Sequence, residues 1–107
     1  MNAAILLHGG TMARRAALSQ ALRSAPGLEA LRIRVSSRAA EAAKCLADPA
    51  VVAVFLLDAP GEAEAVRAAA LASGRRSPVY ALEPRDGGDV VVALVRDVVR
   101  DRVSDHP

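Results

Sequence analysis

Two polar residues stand directly after apolar runs, and they carry the widest chemical range in the chain. His8 follows Ala-Ala-Ile-Leu-Leu, and Asp58 follows Val-Val-Ala-Val-Phe-Leu-Leu. An imidazole held by a carboxylate can accept a phosphoryl group, act as a general base or respond to pH. His8 and Asp58 are therefore the candidate catalytic pair. Gly9, Gly10 and Thr11 come next, and two glycines let backbone N–H groups turn toward an anion at the start of a helix, which makes this tripeptide the candidate anion seat. Glu83 follows a further apolar run and is a candidate for the rim of the same crevice. Each residue also suits a plainer role. His8 can bond a backbone carbonyl, Asp58 and Thr11 can cap helices, and Glu83 can be an exposed strand end. Neither GxGxxG nor GxxxxGK[ST] occurs, so no nucleotide cofactor is expected.

Other reactive types are thinly spread. The single cysteine, Cys45, sits beside Lys44 in a helical stretch and reads as a small buried or half-buried thiol. Without CxxC or a His/Cys cluster, no metal site is expected. Ser36 and Ser37 read as caps for the helix that follows them, and His106 belongs to a short polar tail.

What must position these residues is an alternation of short apolar runs with Ala- and Arg-rich helical stretches. The runs 3–7, 31–35, 51–57 and 79–82 read as strands. The third has no polar alternation, as expected of a strand covered on both faces, whereas Arg32 and Arg34 alternate with Leu31, Ile33 and Val35, the pattern of an edge. The first helix is capped by Thr11, presents Leu18, Leu22 and Ala25, and stops at Pro26-Gly27. The second carries Ala39, Ala43 and Leu46 inward and ends near Asp48, because Pro49 disfavours helix in the preceding residue. In the third, Pro60 suits the first turn and Glu62 and Glu64 favour its positive end. A fourth begins at Asp86 or Asp89 and aligns Val92, Val95, Val99 and Val103, with a strand within 90–99 as the alternative. The order predicts an α/β fold: three layers, a parallel four-stranded sheet of order 2-1-3-4, and right-handed crossovers. Winding reverses between strands 1 and 3, so a ligand crevice belongs at their carboxyl ends, beside residues 8–11 and 58–61.

Composition narrows the function classes. The 107 residues make one domain, expected over 1–104 with 105–107 as a frayed tail. Fourteen basic and twelve acidic side chains nearly cancel, and Phe55 and Tyr80 are the only aromatic residues. That excludes the basic face and stacking platform of a nucleic-acid binder. No apolar run is long enough to span a bilayer, so no membrane partner is expected and a soluble, reducing, cytoplasmic setting is. The valine-rich last helix has more apolar surface than one sheet face covers, which predicts a protein partner or a homodimer through Val91, Val95 and Val98.

From about Leu18 to Val95 the chain resembles the receiver domains of two-component response regulators. The resemblance is carried by Ala-Leu-Arg-Ser-Ala-Pro-Gly-Leu-Glu after the first helix, by Val-Val-Ala-Val-Phe-Leu-Leu-Asp-Ala-Pro-Gly around Asp58, and by Ser-Pro-Val-Tyr-Ala-Leu at the fourth strand. It implies a flavodoxin-like architecture with Asp58 at the phosphoryl-accepting position. The chain departs from that family where the acidic pair for Mg²⁺ belongs, having Leu7-His8-Gly9-Gly10, and where a hydroxyl residue belongs near Glu83. No fifth strand with its lysine is legible. The resemblance thus implies a pseudo-receiver, a phosphorylation-independent signalling or protein-interaction module. A second resemblance, to mannose-type sugar phosphotransferase A domains, rests on His8-Gly9 after strand 1 and Asp58 after strand 3, and implies a phosphoryl carrier with His8 as acceptor and Asp58 orienting it.

Overall fold

The computed structural model describes residues 3–57, 60–73 and 78–104, with Pro60 and 101–104 as backbone alone. Strands β1 (Ala4–Gly9), β2 (Arg32–Ser36), β3 (Val51–Leu57) and β4 (Val79–Leu82) alternate with helices α1 (Met12–Ser24), α2 (Ala39–Leu46), α3 (Ala63–Ala72) and α4 (Gly88–Ser104). A single 3-10 turn, Pro60–Glu62, leads into α3. The sheet is parallel throughout and ordered β2-β1-β3-β4, as the pattern of apolar runs requires. Segment 90–99 is helical, not a strand. The expected tail, 105–107, lies outside the described residues.

All seven residues of β3 are buried, because helices cover both of its faces. On one face Ile5, Leu7, Phe55 and Leu57 pack against Leu18 and Leu22 of α1 and Val91 and Val95 of α4. On the other, Leu6, Val54 and Leu56 pack against Ala42, Cys45 and Leu46 of α2 and Val66 and Ala70 of α3. Successive side chains of a strand point to opposite faces, so odd-numbered β1 residues meet α1 and α4 while even-numbered ones, His8 included, meet α2 and α3. Strand β2 is the edge that its alternating arginines predict. Arg32 and Arg34 approach the Asp48 carboxylate at 3.4 and 3.2 Å, and Val35 is exposed. Asp48 is held below the usual carboxylate range, chiefly by the donated Ala50 amide and with help from both guanidiniums, against the desolvation of partial burial.

Several helix faces differ from expectation. In α2 the inward residues are Ala42, Cys45 and Leu46, while Ala43 faces solvent. The helix ends at Leu46 with Ala47 as its C-cap, near Asp48 as the proline after it requires. In α4 the fully buried pair is Val91 and Val95, while Val92, Leu94, Val98 and Val99 are half-buried. Val91 and Val95 therefore belong to this chain's own core and cannot face a second copy; of the three valines assigned to a dimer surface, only Val98 retains exposure. A helix with valine or leucine at 90, 91, 92, 94, 95, 98 and 99 has no single apolar stripe, so its rotation is set by its neighbour. That neighbour is α1. Gly88 lies against Ala21 so closely that a Cβ on it would overlap the alanine methyl.

Candidate functional site

The first residues of the site come from the end of β1. Parallel register places His8 opposite Ser36 of β2 and Leu56 of β3, all on the α2/α3 face. His8 is fully buried, and its Nδ1 shares a hydrogen bond of 2.7 Å with the Ser36 hydroxyl, itself buried. On the other side of the ring, Nε2 lies 3.4 Å from a Glu62 carboxylate oxygen delivered by the 3-10 turn. The orientation there is not that of a hydrogen bond, and Nε2 has no hydrogen-bond partner among the described residues. The histidine thus bonds a serine hydroxyl, where the plainer expectation gave it a backbone carbonyl.

Ser36 corrects a sequence expectation. It does not cap α2; it ends β2 and turns inward beside His8. The α2 start is served by Glu41, whose Oε1 accepts hydrogen bonds from the Ser37 amide, the Ser37 hydroxyl and the Arg38 amide. These bonds hold the Glu41 carboxyl below its usual range, with the Ser37 amide the leading cause. Glu62 stands at the N-cap of α3, at its positive end as expected, and its side chain also reaches across to β1. Asp58, the other half of the candidate pair, lies outside the described residues.

The glycine turn takes up the opposite side of the β1 terminus. Gly9 and Gly10 have φ of 81° and 69°, a left-handed pair that glycine tolerates best. Their carbonyls face one another's neighbourhood closely enough to accept from a single guanidinium nitrogen, Arg15 Nη1, at 2.8 and 3.1 Å. Thr11 caps α1, its hydroxyl accepting from the Arg14 amide at 3.0 Å. What this loop holds is accordingly a cation of the chain itself. Arg14 extends the arrangement: its Nη2 donates to the Glu83 carbonyl at 2.6 Å, tying α1 to the segment between β4 and α4. The Glu83 side chain is exposed and pairs with Arg85 at 2.8 Å, so Glu83 stands on the rim through its backbone and not by presenting its carboxylate inward.

Sequence reasoning therefore missed Ser36, Glu62, Arg14 and Arg15. One of them, Ser36, had a usable signal. Once β1 and β2 are neighbours in parallel, counting from Ala4 opposite Arg32 brings His8 opposite Ser36. Chemically, the arrangement is a buried Ser-His-Glu string in which the serine is on Nδ1, the ring is sealed from solvent and the glutamate is half-exposed. A serine under 5% exposed offers no approach to an acyl substrate, so the string does not read as a nucleophile with its base. Comparison with family models, curated proteins and solved structures finds no match to the chain.

The His8–Ser36 bond has a measurable consequence. Removing either partner strands the other as an unsatisfied buried polar group, which costs about 1–3 kcal/mol. Ser36→Ala and His8→Leu should each lower unfolding free energy by that order, while the double variant should lose less than the sum, with a coupling of roughly 1 kcal/mol. Urea denaturation of the four proteins measures it. Simple additivity would mean that the two side chains do not act on one another.

Proposed function

We propose that this chain is a protein-interaction module of receiver-like architecture that works without phosphorylation. The observation that carries the reading is the burial of His8 at the end of β1, where a phosphorylatable receiver needs solvent-facing carboxylates. Mg²⁺ requires several oxygen ligands in octahedral array. The β1 terminus supplies a sealed imidazole and two glycines whose carbonyls are engaged by Arg15, a set that does not fit that ion. The same burial counts against a phosphoryl carrier, since a donor cannot reach either ring nitrogen while Ser36 and Glu62 flank them.

Acetyl phosphate with Mg²⁺ is the direct test. The expected result is an intact mass unchanged after incubation, because charge on a transferring phosphoryl group would go unneutralised at Asp58. One added phosphate mapped to Asp58 would overturn the reading, and one mapped to His8 would put the carrier in its place. A homotypic partner is the simplest form of the proposal, with Val98 and the half-buried Val92, Leu94 and Val99 as its surface. A monomer in sedimentation at high micromolar concentration would remove that form.

A further inference from the structure

We propose that the outer edge of β2 takes an extended acidic segment of a partner protein, added to the sheet as a further strand. Strand β2 ends the sheet, and no element among the described residues pairs with its outer side. The Arg32 amide donates to the Ala3 carbonyl beside β1 at 3.0 Å. Alternate residues of a parallel strand bond the same neighbour, so Arg32, Arg34 and Ser36 face β1 while the backbone groups of Ile33 and Val35 point outward. Those two residues offer two donors and two acceptors to an incoming strand. Val35 adds apolar surface, being 53% exposed. An edge of this kind binds through the main chain and selects through the side chains.

Charge selects the occupant. Arg32 and Arg34 project from one face of that edge, both half-exposed, toward a single Asp48 oxygen at 3.4 and 3.2 Å, and the other Asp48 oxygen accepts from the Ala50 amide. Two guanidiniums over one carboxylate leave a positive charge on the α2 side of the strand. A second copy does not suit this edge. Twofold symmetry makes β2 meet β2 antiparallel, and outward-pointing residues must then face outward-pointing residues. The register that overlaps all five residues sets Arg34 against Arg34, a like-charge opposition that destabilises the pair. An acidic strand turns the same positions into attraction, with carboxylates opposite Arg32 and Arg34 on one face and β-branched residues beside Ile33 and Val35 on the other. The sequence class is therefore alternating acidic and apolar. The proposal rests on reading the chain as an interaction module, gives that module a partner, and concerns a surface separate from α4.

The test titrates the full, nitrogen-15-labelled chain with the capped heptapeptide Thr-Val-Glu-Val-Glu-Val-Thr, which reads the same in either direction, and with its counterpart carrying lysine for glutamate. Amide shifts should saturate and centre on residues 31–36, the Ile33 and Val35 amides moving downfield as they gain acceptors. The glutamate peptide should bind at least about tenfold tighter than the lysine peptide at low salt and lose most of that margin at about 0.5 M NaCl. Val35→Pro deletes an outward N–H without touching a bond to β1, so it should keep the melting curve and abolish binding. Arg32→Gln changes a half-exposed side chain, tests the edge independently of the proline, and should cut the glutamate margin roughly threefold or more. The proposal is overturned if neither peptide binds at millimolar concentration, if the shifts fall on β4 or α4 instead, if the lysine peptide binds as tightly as the glutamate one, or if a folded Val35→Pro chain binds like the parent. Acetyl phosphate tests the phosphorylation-independent reading by mass and the peptides test the edge by chemical shift, so either can fail without the other.

Discussion

Phe55→Ala should lower unfolding free energy by about 3–5 kcal/mol, a large share of the roughly 5–15 kcal/mol expected for a domain of this size. Phe55 is fully buried in the middle of β3 and belongs to the cluster facing α1 and α4. Its neighbours there are mostly alanine, valine and leucine, whose short side chains cannot swing into the space a phenyl ring vacates. One face of the ring stacks on Tyr80 of β4, with centroids 5.3 Å apart and planes 20° from parallel. An offset pair of this kind adds about 0.5–1.5 kcal/mol beyond area burial, and the truncation loses that as well. Tyr80→Leu removes only the stacking partner from a half-buried position and should cost on the order of 1 kcal/mol. Urea midpoints with an unchanged slope would measure both losses. A Phe55→Ala loss no larger than that of Tyr80→Leu would mean that the core collapses around the gap, contrary to the packing described.

The same strand shows why the architecture was legible in the sequence. Seven consecutive apolar residues have one stable placement, between two helical layers, and two arginines alternating with apolar residues have another, at a sheet edge. Strand order then follows from handedness and short connections. Rotation of the helices does not follow. The valines of α4 surround too much of the helix to select a face, and the choice falls to the close approach of Gly88 and Ala21, a contact between residues 67 positions apart in sequence.

The site was half legible for a related reason. His8 could be found because a polar residue ending an apolar strand at the switch point is conspicuous. Its partners could not be found by type, since serine before a helix usually caps it and glutamate in a first turn usually serves the helix dipole. Ser36 escapes its role through register, and Glu62 gains a second one through the 3-10 turn, which places the glutamate at the start of α3 and over β1. Glu41 takes over the capping at α2, freeing Ser36 for the interior.

The glycine turn beside that site should be nearly as intolerant as the core. Gly10→Ala should cost about 2–5 kcal/mol, from two additive causes. A φ of +69° puts a Cβ into the left-handed region, at roughly 1–2 kcal/mol for an ordinary residue. That Cβ would also stand 2.9 Å from the Leu57 Cβ and 3.4 Å from the Leu57 carbonyl oxygen. A Cβ is fixed to its backbone and cannot rotate away as the end of a long side chain can. Either the turn or the end of β3 has to move, an overpacking cost of about 1–3 kcal/mol. Movement of the turn would also displace the Gly9 and Gly10 carbonyls from the Arg15 guanidinium, loosening the hold of α1 on the end of β1. Gly27→Ala separates the two causes. Gly27 has a φ of +87° with nothing within 4 Å of an added Cβ, so only the conformational term of about 1–2 kcal/mol applies. Urea denaturation should place Gly10→Ala well below Gly27→Ala in stability. Equal losses would mean that the β1–α1 turn yields freely, and that the close approach of Gly10 to β3 does not hold the turn in shape.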